Sequence, residues 1–128
     1  MKKLMIVDDN EDVLESLKLL LESYYSICLA RNGVEALTEM DRGFHPDLIL
    51  LDFKMPEMDG PALLAELKQR GEKIPALVIS AIPEAAEMAR ELGLPEVLQR
   101  PFTYERLRER IERLLHDSGG SQAIKGLD

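Results

Sequence analysis

Two short, wholly apolar runs in this chain each end in aspartate. Leu4-Met5-Ile6-Val7 leads into Asp8-Asp9, and Leu48-Ile49-Leu50-Leu51 leads into Asp52. Apolar runs of this length without alternation read as strands buried on both faces, the habit of parallel sheets covered by helices. Ligands of an open parallel sheet sit beyond the carboxyl ends of its strands, where the strand order reverses. Carboxylates at Asp8, Asp9 and Asp52 delivered to that edge repel one another unless a cation joins them. An all-oxygen set suits a hard divalent ion, Mg²⁺ foremost. The pattern thus sets an α/β class and asks for a metal, and with it a phosphoryl group, at one edge of the sheet.

Bulk properties bound the rest. At 128 residues the chain makes one domain with a proper core. A formal net charge of −8 argues against direct nucleic-acid binding, because phosphate backbones need a basic footprint. Cys28, the single cysteine, lies in Ile27-Cys28-Leu29-Ala30 and reads as a small buried hydrophobe, not a nucleophile. Met1-Lys2-Lys3 opens onto too few apolar residues for a signal peptide, and no run reaches membrane-spanning length. The expectation is a soluble cytoplasmic protein with no membrane partner.

Apolar runs alternate with helical patterns along the chain. Asn10 can cap a helix whose apolar face is Val13, Leu14, Leu17, Leu20 and Leu21. Tyr25 to Ala30 reads as the second strand, Asn32-Gly33 as a turn, and Val34, Leu37 and Met40 as the face of a short helix ending at Gly43. Pro46 precedes the third strand, Asp47 to Asp52, and the breaker-rich loop Lys54 to Gly60 follows. Pro61 suits the first turn of a helix carrying Leu63, Leu64 and Leu67 up to Gly71. Ala76 to Ile79 forms the fourth strand, ending at Ser80; Ala85, Ala89 and Leu92 mark a small-residue helix closing at Gly93. Glu96 to Gln99 is the fifth strand, and the last helix starts near Thr103 with Tyr104, Leu107, Ile111, Leu114 and Leu115. The domain is placed at residues 1–117, with 118–128 a flexible tail or a cut linker. Strands and helices in strict alternation make a doubly wound α/β sandwich with right-handed crossovers.

Asp8-Asp9, Asp52 with Met55-Pro56 and Gly60 downstream, Ser80-Ala81 and Arg100-Pro101-Phe102 together resemble the receiver domain of two-component response regulators. The resemblance runs from Lys3 to about His116. It implies a flavodoxin-like fold, a parallel five-stranded sheet in the order 2-1-3-4-5. It also implies that Asp52 is the phosphoacceptor, that Asp9 and Asp52 bind Mg²⁺ directly, and that Asp8 acts through a water. The backbone carbonyl of Lys54 would complete the protein ligands, and a cis bond would precede Pro101. The implied partner is a histidine kinase or a phosphotransfer protein bearing phosphohistidine. Self-association or a downstream partner would use the fourth helix, fifth strand and fifth helix. The chemistry also stands without the family: a charge-offset carboxylate held in line is a competent nucleophile toward phosphorus. Ser80 can donate to a phosphoryl oxygen, and Arg100 can supply a cation.

Departures are equally visible. The family's usual basic residue before the proline is lysine; here it is Arg100, longer and forked. Three residues earlier the family carries an aromatic switch, where this chain has Val97. Taken singly, each site residue also has an ordinary explanation. Asp8 and Asp9 could serve the helix dipole, Ser80 could cap a loop, and Arg100 could be a surface charge. His45 and His116 read as surface residues, and the charges from Glu105 to Arg113 as a solvated helix face. The leading function is a phosphorylation-controlled signalling module, not an enzyme acting on an external substrate. A Mg²⁺-dependent phosphohydrolase is the rival, disfavoured because Asp8-Asp9-Asn10 lacks the Asp-x-Asp spacing such enzymes use. A receiver retained only as a binding scaffold is the third reading.

Overall fold

The segments Lys3–Val7 (β1), Ser26–Ala30 (β2), Leu48–Leu51 (β3), Ala76–Ser80 (β4) and Val97–Gln99 (β5) pair in parallel as one sheet, in the order β2-β1-β3-β4-β5. The computed structural model describes residues 1–53, 55, 57–81, 85–91, 93 and 97–120, with 117–120 as backbone alone. The order and parallel sense match the sequence expectation. Glu96, read as the first residue of the fifth strand, and Leu92, read as part of the fourth helix, lie outside the described residues, as do Lys54 and Pro56. The helices are Glu11–Leu21 (α1), Gly33–Asp41 (α2), Gly60–Gln69 (α3), Ala85–Glu91 (α4) and Tyr104–Gly120 (α5).

Alternation along each strand sends side chains to two cores. Leu4 and Ile6 of β1 join Leu48, Leu50, Leu77 and Ile79 beneath α1 and α5. Met5 and Val7 join Ile49 and Leu51 beneath α2 and α3. Val78, with Phe53, Ala85 and Ala89, continues that second face under α4. Burying a leucine such as Leu14, Leu50 or Leu77 contributes roughly 1.5–3 kcal/mol each. Asn10 caps α1 by accepting from the N–H groups of Asp12 and Val13, and Thr103 Oγ1 accepts from Arg106 N–H at the start of α5. Gly43 and Gly71 close α2 and α3 at φ 111° and 76°, a backbone that a side chain would strain.

Several details differ from the sequence reading. Leu20 is 45% exposed and Val34 47%. In α1 the inward stripe is Leu14, Leu17 and Leu21; in α2 it is Gly33, Ala36, Leu37 and Met40. Both outliers fall off those stripes. Strand β2 starts at Ser26, because Tyr25 turns into the core and its hydroxyl donates to Glu112. Burial, reinforced by that carboxylate, pushes the Tyr25 phenol up to about 12. The charged face of α5 is only partly solvated. The Arg108 guanidinium lies 3.9 Å over the Tyr24 ring and 4.0 Å from Glu112. Cys28 is half-buried against the second core, and burial raises its thiol pKa. Helix α5 runs from Tyr104 to Gly120.

Candidate functional site

The chain brings its candidate residues to one edge by extending the ladder a step beyond each strand. Asp8 N–H donates to Ala30 O at 3.0 Å and Asp52 N–H to Val7 O at 3.1 Å. Arg100 N–H donates to Ser80 O at 2.9 Å. Backbone bonds to neighbouring strands therefore fix the roots of these side chains before any of them meets another. The Arg100-Pro101 bond is cis, as the resemblance implies.

One carboxylate oxygen from each of Asp8, Asp9 and Asp52 lies within 4.8 Å of the others. Ligands facing each other across a Mg²⁺ stand roughly 4 Å apart, so small side-chain adjustments let this set hold the ion. The three differ in environment: Asp8 is buried, Asp52 half-buried and Asp9 exposed. Asp8 Oδ1 accepts the Asn10 N–H at 2.9 Å, and its Oδ2 faces Arg100 Nη2 at 3.4 Å. Burial lifts the Asp8 pKa above its ordinary value of 3.8; the Asn10 N–H and Arg100 pull it down, and Asp9 pushes it up. Burial of the carboxylate therefore outweighs the Asn10 N–H and Arg100 contacts that favour its charged form.

Ser80 is 1% exposed at the end of β4, in register with Gln99. Asp8, Asp52, Ile79 and Arg100 line one small recess over Ile6, Leu17 and Leu50. The Arg100 guanidinium pairs with Asp8. Lys54, read as a carbonyl ligand, lies outside the described residues. Val97 pairs with Val78 and packs on the Phe53, Ala85 and Ala89 cluster.

Two features escaped the sequence reading. Asn32-Gly33, read as a turn, touches the loop after Asp52: Gly33 N–H donates to Met58 O at 2.9 Å and Asn32 Nδ2 to Glu57 Oε1 at 3.1 Å. The Asn-Gly pair at the carboxyl end of β2 was the available signal. The second is a close approach at Gly60, a residue the sequence reading had only placed in the loop after Asp52. A Cβ there would stand 2.7 Å from Asp52 O and 3.1 Å from Phe53 Cα, both backbone atoms. Gly60→Ala is expected to destabilise the domain by about 1–3 kcal/mol through overpacking. It should also displace the Asp52 and Phe53 amide resonances; denaturant unfolding and NMR together check both effects.

A five-stranded doubly wound sheet with an acidic cluster, a buried serine and a basic-Pro pair at its carboxyl edge defines a class of doubly wound domain with a candidate cation site. Comparison with known proteins narrows it. The family described as "Response regulator receiver domain" matches residues 4–112, and the chain belongs to that family. It is 41% identical to the Regulator of RpoS of Escherichia coli (strain K12) over 125 residues, covering 91% of this chain and 36% of that protein. It is 39% identical to the Response regulator MprA of Mycobacterium leprae (strain TN), covering 98% of this chain and 56% of that one. The chain thus spans about a third to a half of the curated relatives it matches. Among solved structures, the receiver domain of a signal transduction histidine kinase from Syntrophus aciditrophicus aligns at TM-score 0.82 and 31% identity, with 98% of each chain covered. A two-component response regulator from Clostridium difficile aligns at TM-score 0.82 and 26% identity, covering 94% of this chain and all of that one.

The chain is therefore a receiver domain of the two-component response regulator type. The family is phosphorylated on aspartate, generally binds Mg²⁺, and interacts with histidine kinases or phosphotransfer proteins. Among the described residues, no helix is long and apolar enough to cross a membrane.

Proposed function

We propose that Asp52 is the phosphoacceptor of this receiver and that Asp8, Asp9, Asp52 and the Lys54 carbonyl form its Mg²⁺ site. The convergence of the Asp8, Asp9 and Asp52 oxygens within 4.8 Å carries the reading. When bound, Mg²⁺ supplies the charge that lets an anionic carboxylate approach an anionic phosphoryl group. An Asp52 oxygen attacks phosphorus, the bond to the donor's imidazole nitrogen breaks, and the imidazole leaves with that electron pair. Asp8 would hold the ion through a water. Ser80 donates to one phosphoryl oxygen. Arg100, released from Asp8, reaches another with its fork. The donor is a phosphohistidine on a kinase or phosphotransfer protein of the cytoplasm. The output is altered partner binding across α4, β5 and α5, with no membrane or direct nucleic-acid contact and no external substrate turned over.

Amide NMR of the chain with Mg²⁺ and beryllofluoride tests this reading. Shifts at Asp9, Asp52, Ser80 and Arg100 are expected, and their absence at Asp52 would overturn it. Val97 adds a second expectation. Its single stiff torsion gives no ring to rotate beside β5, so the change should fade before α4 and the body of α5. Large shifts throughout both helices would show that the switch works without the aromatic.

A further inference from the structure

The loop leaving Asp52 is held from outside as well as at its own ends. Its residue Glu57 is, among the described residues, the one non-glycine with positive φ, at 66°. The left-handed region costs an ordinary residue about 1–2 kcal/mol, and such strain persists where the surroundings over-determine it, commonly at functional sites. Here the surroundings are Asn32 and Gly33. Asn32, 9% exposed, accepts the Glu35 N–H on Oδ1 at 2.9 Å as the cap of α2, and this orients its amide. Nδ2 is left facing Glu57 Oε1 at 3.1 Å. Gly33 N–H bonds Met58 O at 2.9 Å, and the Met58 side chain lies where a Cβ would be, with Cγ, Sδ and Cβ at 2.5, 2.7 and 2.9 Å. Gly33 has no positive φ, so its missing side chain answers to Met58 and not to a backbone turn. At the inner end, Gly60 N–H bonds Phe53 O at 3.0 Å, and a Cβ at Gly60 would stand 2.7 Å from Asp52 O.

We infer that Asn32 and Gly33 are positioning residues for the Asp52 site. By gripping Glu57 and Met58 they fix where those two residues stand, a few positions after Asp52, and thereby set Mg²⁺ affinity. The inference rests on the metal site proposed above. A cap alone would need only Oδ1, and Nδ2 would then be dispensable. The grip also makes α2 sensitive to the site: whatever moves the loop after Asp52 pulls on the helix's first turn.

The test is a Mg²⁺ titration followed by the Asp9 and Asp52 amides in wild type, Asn32→Ser, Gly33→Ala and Gly33→Ala/Met58→Ala. Asn32→Ser keeps a capping oxygen but removes the donor to Glu57. Outer-shell substitutions commonly weaken metal binding by roughly 10–100-fold; about tenfold is expected for Asn32→Ser and for Gly33→Ala. Met58→Ala removes the Cγ and Sδ contacts, so the double variant should recover most of the affinity. Wild-type affinity in Asn32→Ser and Gly33→Ala would overturn the inference while leaving the metal site standing. Should Gly33→Ala fail to fold, Asn32→Ser alone decides. A wild-type chain that binds no Mg²⁺ would overturn the metal site and this inference together.

Discussion

Asp52→Asn is expected to abolish the labile phosphate adduct that acetyl phosphate and Mg²⁺ produce on the wild-type chain. The substitution keeps side-chain volume and leaves the Asp52 N–H bond to Val7 O in place, so the sheet edge survives. It removes the anionic oxygen that attacks phosphorus, and an amide has no comparable nucleophile. Intact mass should show the adduct on wild type and none on the variant at any Mg²⁺ concentration. Asp9→Ala should behave differently: it loses a ligand from the 4.8 Å cluster, and added Mg²⁺ should restore part of the labelling. Equal labelling of Asp52→Asn would remove Asp52 from the mechanism. Steady release of phosphate from monoesters would favour the hydrolase reading. Mg²⁺ binding without any adduct would favour a binding scaffold.

The parts of the fold legible in the sequence are those set by period and punctuation. The two cores follow from runs such as Leu48 to Leu51, apolar at every position because helices cover both faces, whereas the strand order came from the family resemblance. The acidic cluster was legible because strand-end aspartates in a parallel sheet must share an edge. What stayed hidden depends on side chains meeting across sequence. Leu20 is apolar, yet packing leaves it off the stripe of Leu14, Leu17 and Leu21 that α1 buries. The Arg100 contact with Asp8 joins the segment after β5 to the end of β1, and charge alone did not show it. The contact of Gly33 with Met58 joins residues far apart in the chain and leaves no periodic trace. The switch position shows the same limit in reverse: Val97 could be named as a departure, but its neighbours Phe53, Ala85 and Ala89 emerge only from packing.

The second large effect is thermodynamic, a metal-free domain that loses stability as Asp8 ionises and regains it with Mg²⁺. Burial lifts the Asp8 pKa above 3.8 in the folded state, so between that value and the raised one the folded chain holds more proton than the unfolded chain. Stability from this group is therefore full below 3.8 and falls as pH rises through the folded value. Asp8→Asn removes the titration. It also forfeits the Arg100 contact, but at 3.4 Å with a guanidinium 31% exposed that pair is worth at most about 1 kcal/mol. Desolvation, the leading cause of the shift, outweighs it. Metal-free Asp8→Asn should then melt above wild type at pH 7, with the difference vanishing in acid. Mg²⁺ at a hundredfold excess over its dissociation constant should add about 2.7 kcal/mol to wild type, several degrees for a domain of this size. Asp8→Asn should gain much less. Thermal melts across pH with and without Mg²⁺ measure both effects. A wild-type midpoint indifferent to Mg²⁺, or an Asp8→Asn advantage that persists unchanged into acid, would show that the buried carboxylate is balanced by its protein neighbours and needs no ion.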